Sequence, residues 1–189
     1  IFMAKNIFLL GGNDLEMETI RDLLKQYGQE YVDKHLSWGA RLQEYVLELR
    51  EFGNDEEYRI YGIELDESGV EDIPSNYCAI DHHNDRENEA SSLEQVCTLL
   101  GIEMDGYHRL VAANDSGYIP AMEKMGATKE EIDNIRRRDR EAQGVTDEEE
   151  AKAEEAITTL ERIGDVTFVY CPTNRFSPVV DRLYPYDTT

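Results

Sequence analysis

Hydrophobic positions fall into short solid runs in the first half of the chain and into helical spacing in the second. Asn6–Leu10 is a run of the buried-strand kind, closed by the turn Gly11–Asp14. Leu15, Ile20, Leu23 and Leu24 then share one side of a helix that Gly28 stops. Glu30 to Asp33 reads as a second short strand, followed by the loop His35–Gly39 and a helix from about Ala40 to Phe52. Tyr58 to Leu65 and Tyr77 to Ile80 are the third and fourth strands, separated by a loop over Glu67 to Ser75. Strands alternating with helices predict right-handed crossovers and a mainly parallel sheet, hence an α/β fold with helices on its faces. From Ser91 the pattern turns helical. Ser91 or Ser92 caps a helix through Leu100, and another runs from Tyr107 to Asn114, broken by Asp115-Ser116-Gly117. Thr128 to Glu131 forms a capping box for a helix through Ala142, and Asp147 to Arg162 is a further helix. Asp165 to Cys171 is a last strand, and Pro172 to Thr189 reads as irregular.

With 189 residues, 40% of them hydrophobic, the chain fills one domain. The formal charge is −22, from 41 acidic and 19 basic residues. That balance opposes binding to long duplex nucleic acid, which depends on cationic contacts to phosphates, and to anionic membrane surfaces. It leaves room for a small phosphate ester bound through metal ions. No apolar run reaches the roughly 18 residues of a membrane span. Cys78, Cys97 and Cys171 are widely spaced and read as reduced thiols of a cytoplasmic protein.

The candidate chemistry sits at the strand ends. Asp14 and Glu16 follow the first strand, Glu64 and Asp66 end the third, and Asp81-His82-His83 follow the fourth. Asp115 breaks a helix that can lean over the same edge. In a parallel sheet these ends open on one side, where open α/β sheets place their ligand sites. So many carboxylates would repel and desolvate one another without cations. Two divalent ions roughly 3.5–4 Å apart resolve this, an arrangement suited to phosphoester hydrolysis. Aspartate with imidazole favours Mn²⁺, Zn²⁺ or Fe²⁺ over Ca²⁺. Neighbouring residues of an extended chain point to opposite sides, so His82 and His83 are expected to serve different partners, one of them facing substrate.

Several of these segments resemble the motifs of the DHH phosphoesterase superfamily. Asp81-His82-His83 matches the naming motif, and Ala90-Ser91-Ser92-Leu93-Glu94 is similar to the helix start that follows it. Ala113-Asn114-Asp115-Ser116-Gly117-Tyr118 resembles the fourth motif. Asn13-Asp14-Leu15-Glu16 resembles the first, and Glu64 or Asp66 takes the place of the second. The likeness covers about residues 4 to 125. It implies a DHH-like domain over residues 1–165, with 166–189 as a final strand and tail where a second domain would begin. It further implies metal ligation by Asp14, Glu16, Glu64 or Asp66, His82 and Asp115. His83, beside Asp81, would contact substrate or steady the leaving group, with Asn13 on the substrate side. The implied cofactor is Mn²⁺, or Mg²⁺ or Zn²⁺ in its stead. The implied activity is hydrolysis of a small phosphodiester, short oligonucleotide or phosphoanhydride by water activated between two ions.

The first motif departs from the family pattern: Gly12 stands where the family has histidine, and Glu16 replaces its second aspartate. One site is therefore expected to be tight and centred on His82, the other weak and centred on Asp14 and Glu16, with His35 as a conceivable replacement ligand. Arg136-Arg137-Arg138-Asp139-Arg140 carries two readings, a phosphate clamp through Arg136 and Arg140 or a solvated helix face paired internally, Asp133 with Arg137 and Arg137 with Glu141. Trp38 is expected to pack the core edge, with stacking on a base as the alternative. A non-catalytic nucleotide- or metal-binding module and an acidic interaction scaffold are the competing classes of function.

Overall fold

The computed structural model describes residues 4–185. Four parallel strands, β1 (Lys5–Leu9), β2 (Glu30–Val32), β3 (Tyr58–Ile63) and β4 (Tyr77–Ile80), form one sheet in the order β2-β1-β3-β4. Their register places Leu9 beside Val32 and Gly62, and Ile63 beside Ile80. All four carboxyl ends thus finish on one edge.

The period-2 alternation of the strands divides the core between the two faces. Phe8, Leu10, Tyr61 and Ile63 join a cluster with Ile20, Leu24, Val96 and Val111. Those partners come from α1 (Leu15–Gln26), α3 (Ser92–Leu100) and α4 (Gly106–Lys124). Ile7, Leu9 and Ile60 face the other way, onto Leu42, Tyr45 and Leu49. A 3₁₀ turn (Leu42–Tyr45) and the short helix α2 (Val46–Phe52) carry these, in place of the single helix expected from Ala40. α5 (Lys129–Ala142) and α6 (Asp147–Thr158) complete the helical half. Capping boxes at Ser91, Thr128 and Thr146 fix the starts of α3, α5 and α6.

Three expectations are corrected. The helix from Asp147 ends at Thr158, not Arg162. The last strand is not part of the sheet: β5 (Glu161–Ile163) and β6 (Val166–Phe168) form a separate antiparallel hairpin, fully exposed, around the turn at Gly164. The expected irregular tail contains a helix, α7 (Ser177–Leu183), started by Pro178 in its first turn; residues 186–189 of that tail lie outside the described ones. The break in α4 falls at Gly117–Tyr118, two residues beyond Asp115, where Tyr118 takes a positive φ of 60°. No helix among the described residues is long and apolar enough to cross a membrane.

Candidate metal centre

The chain segments that follow β1, β3 and β4 each bring a polar group to a common point. After β3 the chain leaves the strand through Glu64, whose φ of 50° is unusual for a residue with a side chain. Such a conformation costs about 1–3 kcal/mol and persists where surrounding structure fixes it, commonly at ligand sites. After β4 comes His82, 8% exposed. From the first turn of α1 comes Glu16, 2% exposed, and from α4 comes Asp115. His82 Nε2 lies 2.6 Å from Asp115 Oδ2, 3.5 Å from Glu64 Oε1 and 3.7 Å from Glu16 Oε2.

These four atoms are buried, and none has a hydrogen-bond partner among the described residues. The 2.6 Å approach of Nε2 to Asp115 therefore lacks hydrogen-bond alignment. Buried polar groups are otherwise paired, because each unpaired one costs about 1–3 kcal/mol. Three carboxylate oxygens and one imidazole nitrogen, aimed at one point from four elements, form a set that a cation can coordinate. One ligand atom each of Glu64, His82, His83 and Asp115 lies within 4.8 Å of the others, so this group could hold a metal ion.

The electrostatics agree. Burial, then Asp115 and Glu64, pushes Glu16 well above the usual carboxylate range. Burial and the nearby Glu64 raise Asp14 to about 8. Burial alone would raise Glu64, but the neighbouring His82, Glu16 and Ser92 groups hold it low. Asp115, then Glu64, holds the His82 imidazole protonated up to about 10. A metal-free site thus retains protons that a cation would replace.

The remaining expected residues divide. Asp14 caps α1 by accepting the Met17 N–H at 2.8 Å, so one of its oxygens is committed to the helix. Glu16 stands with His82 rather than apart from it, which blurs the expected division into a His82 site and an Asp14–Glu16 site. Asp81 Oδ1 accepts from the His83 backbone N–H at 2.9 Å and lies 3.0 Å from His83 Nδ1. This orients the ring and leaves Nε2 as the free nitrogen. The rings of His82 and His83 lie 4.2 Å apart, so the expected divergence to opposite sides is not seen. The turn after β4 departs from the pleat that would have separated them. Asn13 bridges Arg21 and the Ala142 carbonyl.

Asp66 does not reach the cluster. It is exposed, its two oxygens accept from Ser68, and its backbone pairs with Ala40 and Leu42. Of the two acids expected at the end of β3, Glu64 is the one that reaches the cluster. Arg136 and Arg140 are buried and ion-paired to Asp139, Asp181 and Glu150, so they form neither the phosphate clamp nor the expected solvated face; of the expected pairs Arg137–Glu141 is present, while Asp133 pairs with Lys129. His35 turns to Asp33 with its side chain three-quarters exposed. Ser92 is the residue sequence reasoning passed over as a ligand neighbour. The sequence offers it as a helix cap, whereas the structure buries its hydroxyl beside Glu64.

Gly12 sits where the backbone leaves no room for a side chain. It bridges to Leu36, and a Cβ placed on it would lie 2.9 Å from the Ser37 carbonyl oxygen and 3.2 Å from the Trp38 Cα. Any side chain must push backbone aside. Gly12→Ala is expected to lower stability by about 1–3 kcal/mol without strengthening metal binding. Chemical denaturation with and without Mn²⁺ measures both effects; unchanged stability would show that the loop yields freely. Trp38 itself is 97% exposed, against the expectation that it packs the core edge.

Comparison of the chain with protein-family models and with curated proteins finds no match.

Proposed function

We propose that this chain is a DHH-like, divalent-metal-dependent phosphoesterase. It would hydrolyse a small phosphodiester, a short oligonucleotide or a phosphoanhydride. The observation that carries this reading is the convergence of the orphaned atoms of Glu16, Glu64, His82 and Asp115 at the carboxyl end of a parallel sheet. It lies where strand order reverses between β1 and β3. Imidazole with carboxylates suits Mn²⁺, with Mg²⁺ or Zn²⁺ as alternatives. Glu64, His82, Asp115 and Glu16 would hold one ion with His83 at its edge, and Asp14 would contribute to a second, weaker site. Such ions neutralise charge on phosphoryl oxygens and acidify water for in-line attack on phosphorus.

The chain's own groups do the rest. Asp81 fixes the His83 ring through Nδ1, which leaves Nε2 for substrate or metal. Protonated there, His83 can give its proton to the leaving oxygen as water adds to phosphorus and the ester P–O bond breaks. Arg136 and Arg140 are committed internally, so substrate phosphate must rely on the ions. The test is Mn²⁺-dependent cleavage of bis-p-nitrophenyl phosphate, expected in wild type and lost on chelation or in His82→Ala. Mn²⁺ binding without cleavage of this ester or of any substrate in a panel would favour the non-catalytic module. That reading draws on the helix-capping role of Asp14.

Trp38 lies on the loop that packs against Gly12, two residues before Asp14, and offers a solvent-facing ring for stacking on a base. Its replacement by alanine is expected to raise KM for a dinucleotide about tenfold, from about 1–3 kcal/mol of stacking, and to leave pyrophosphate hydrolysis unchanged. Equal KM values for the dinucleotide would remove Trp38 from substrate binding.

A further inference from the structure

The two sides of the metal centre come from elements far apart in sequence: α1 carries Asp14 and Glu16, and α4 carries Asp115. A single buried unit joins them. Asp139 of α5 accepts the Leu15 backbone N–H through Oδ1 at 3.2 Å, between Asp14 and Glu16 in the chain. Its Oδ2 accepts from Arg136 Nη1 at 2.7 Å. The same Nη1 donates at 2.8 Å to Asn114 Oδ1, the neighbour of Asp115. Arg136 also lies over the ring of Tyr118, 4.4 Å from its centroid, at the break in α4. Asp181 of α7 holds the far side of the guanidinium, accepting from Arg136 Nε at 3.1 Å, and also bonds Arg140 and the Tyr118 hydroxyl.

We infer that Arg136 and Asp139 are positioning residues that set the gap between the α1 ligands and Asp115, and so tune the affinity of the centre for its metal. This rests on the metal-centre reading. The geometry is particular to a fork. A planar guanidinium satisfies Asn114, Asp139 and Asp181 in fixed directions, which the single ammonium of lysine cannot reproduce. Ligand-orienting partners of this kind typically change metal affinity tenfold to a hundredfold when altered. Asp139 acts on the backbone at the start of α1, so an error there moves Asp14 and Glu16 together.

A purely structural role makes a different forecast, and Glu150 separates the two. It is buried in the same network, yet it pairs with Arg140 of α5 and Arg182 of α7 rather than with the residues that link α1 to α4. The experiment is Mn²⁺ titration calorimetry on wild type, Arg136→Lys, Asp139→Asn and Glu150→Gln, well below each unfolding midpoint, with circular dichroism showing each folded. Arg136→Lys and Asp139→Asn are expected to raise the Mn²⁺ Kd about tenfold or more. Glu150→Gln should lower the midpoint and leave Kd at the wild-type value. Asp139→Asn keeps the acceptor for Leu15 while losing the charge, so it stands in if Arg136→Lys does not fold. Affinities that stay constant in the first two variants, or fall equally in all three, overturn the inference. A wild-type protein that binds no Mn²⁺ overturns the metal-centre reading itself.

Discussion

Asp115→Ala is expected to weaken Mn²⁺ binding by more than about a hundredfold while changing the stability of the metal-free protein far less, because the lost attraction to His82 is offset by relief of repulsion at Glu16 and Asp14. The two effects have one cause. Asp115 is the carboxylate nearest His82 Nε2, at 2.6 Å, and it also raises the proton affinity of Glu16 and Asp14 by repulsion. Removing it takes a negative ligand from the ion and a like charge from a crowded, dry site. Metal at 100 to 1,000 times its Kd should stabilise wild type by about 3–4 kcal/mol, and that increment should vanish in the variant. Thermal unfolding with EDTA and with Mn²⁺ reads both quantities. A variant destabilised without metal, yet still stabilised by Mn²⁺ as wild type is, would mark Asp115 as an architectural residue.

Glu16→Gln should separate charge from shape. The amide keeps an oxygen to accept the Leu93 N–H, which Glu16 Oε1 accepts at 3.0 Å, and loses only the ionisable group. Burial, then Asp115 and Glu64, raises Glu16 well above 4.5, so the fold prefers its protonated form. The stability this confers is full below pH 4.5 and is lost as pH rises through the folded-state value. Asp14 behaves alike, with its loss extending from about pH 4 to about 8. The metal-free wild type should therefore lose stability as pH rises from about 4 to about 8, the window of Asp14, and Glu16→Gln should lose less. The variant should also bind Mn²⁺ about a hundredfold more weakly. Urea unfolding across pH with EDTA tests the first part, and calorimetry the second. Identical pH profiles would mean that Glu16 is not held out of water as the site requires.

The sequence revealed the sheet because its strands are solid apolar runs bounded by glycine, proline and acidic turns. Glu30–Asp33, Tyr58–Leu65 and Tyr77–Ile80 each contain an observed strand, and Asn6–Leu10 overlaps β1 with a one-residue offset. The same logic placed Glu64, His82 and Asp115 at one edge, since parallel strands must end together. Choosing Glu64 over Asp66 was beyond it. The positive φ at Glu64 turns one carboxylate in and leaves the other to Ser68, a local backbone event without a sequence period. The fates of Arg136 and Arg140 depended on Asp181 and Glu150, which tertiary packing brings to them from 41 and 10 residues away. The hairpin from Glu161 to Phe168 misled because its apolar run looks buried, whereas both strands lie exposed. Trp38 misled likewise: its loop is fixed by backbone contact with Gly12, which leaves the indole in solvent.

The most direct test of the metal centre is anomalous diffraction from crystals grown with Mn²⁺. A peak is expected about 2.0–2.3 Å from His82 Nε2 and from the carboxylate oxygens of Glu64 and Asp115. Saturating Mn²⁺ with no peak there, and His82 still in direct contact with Asp115, would contradict the account.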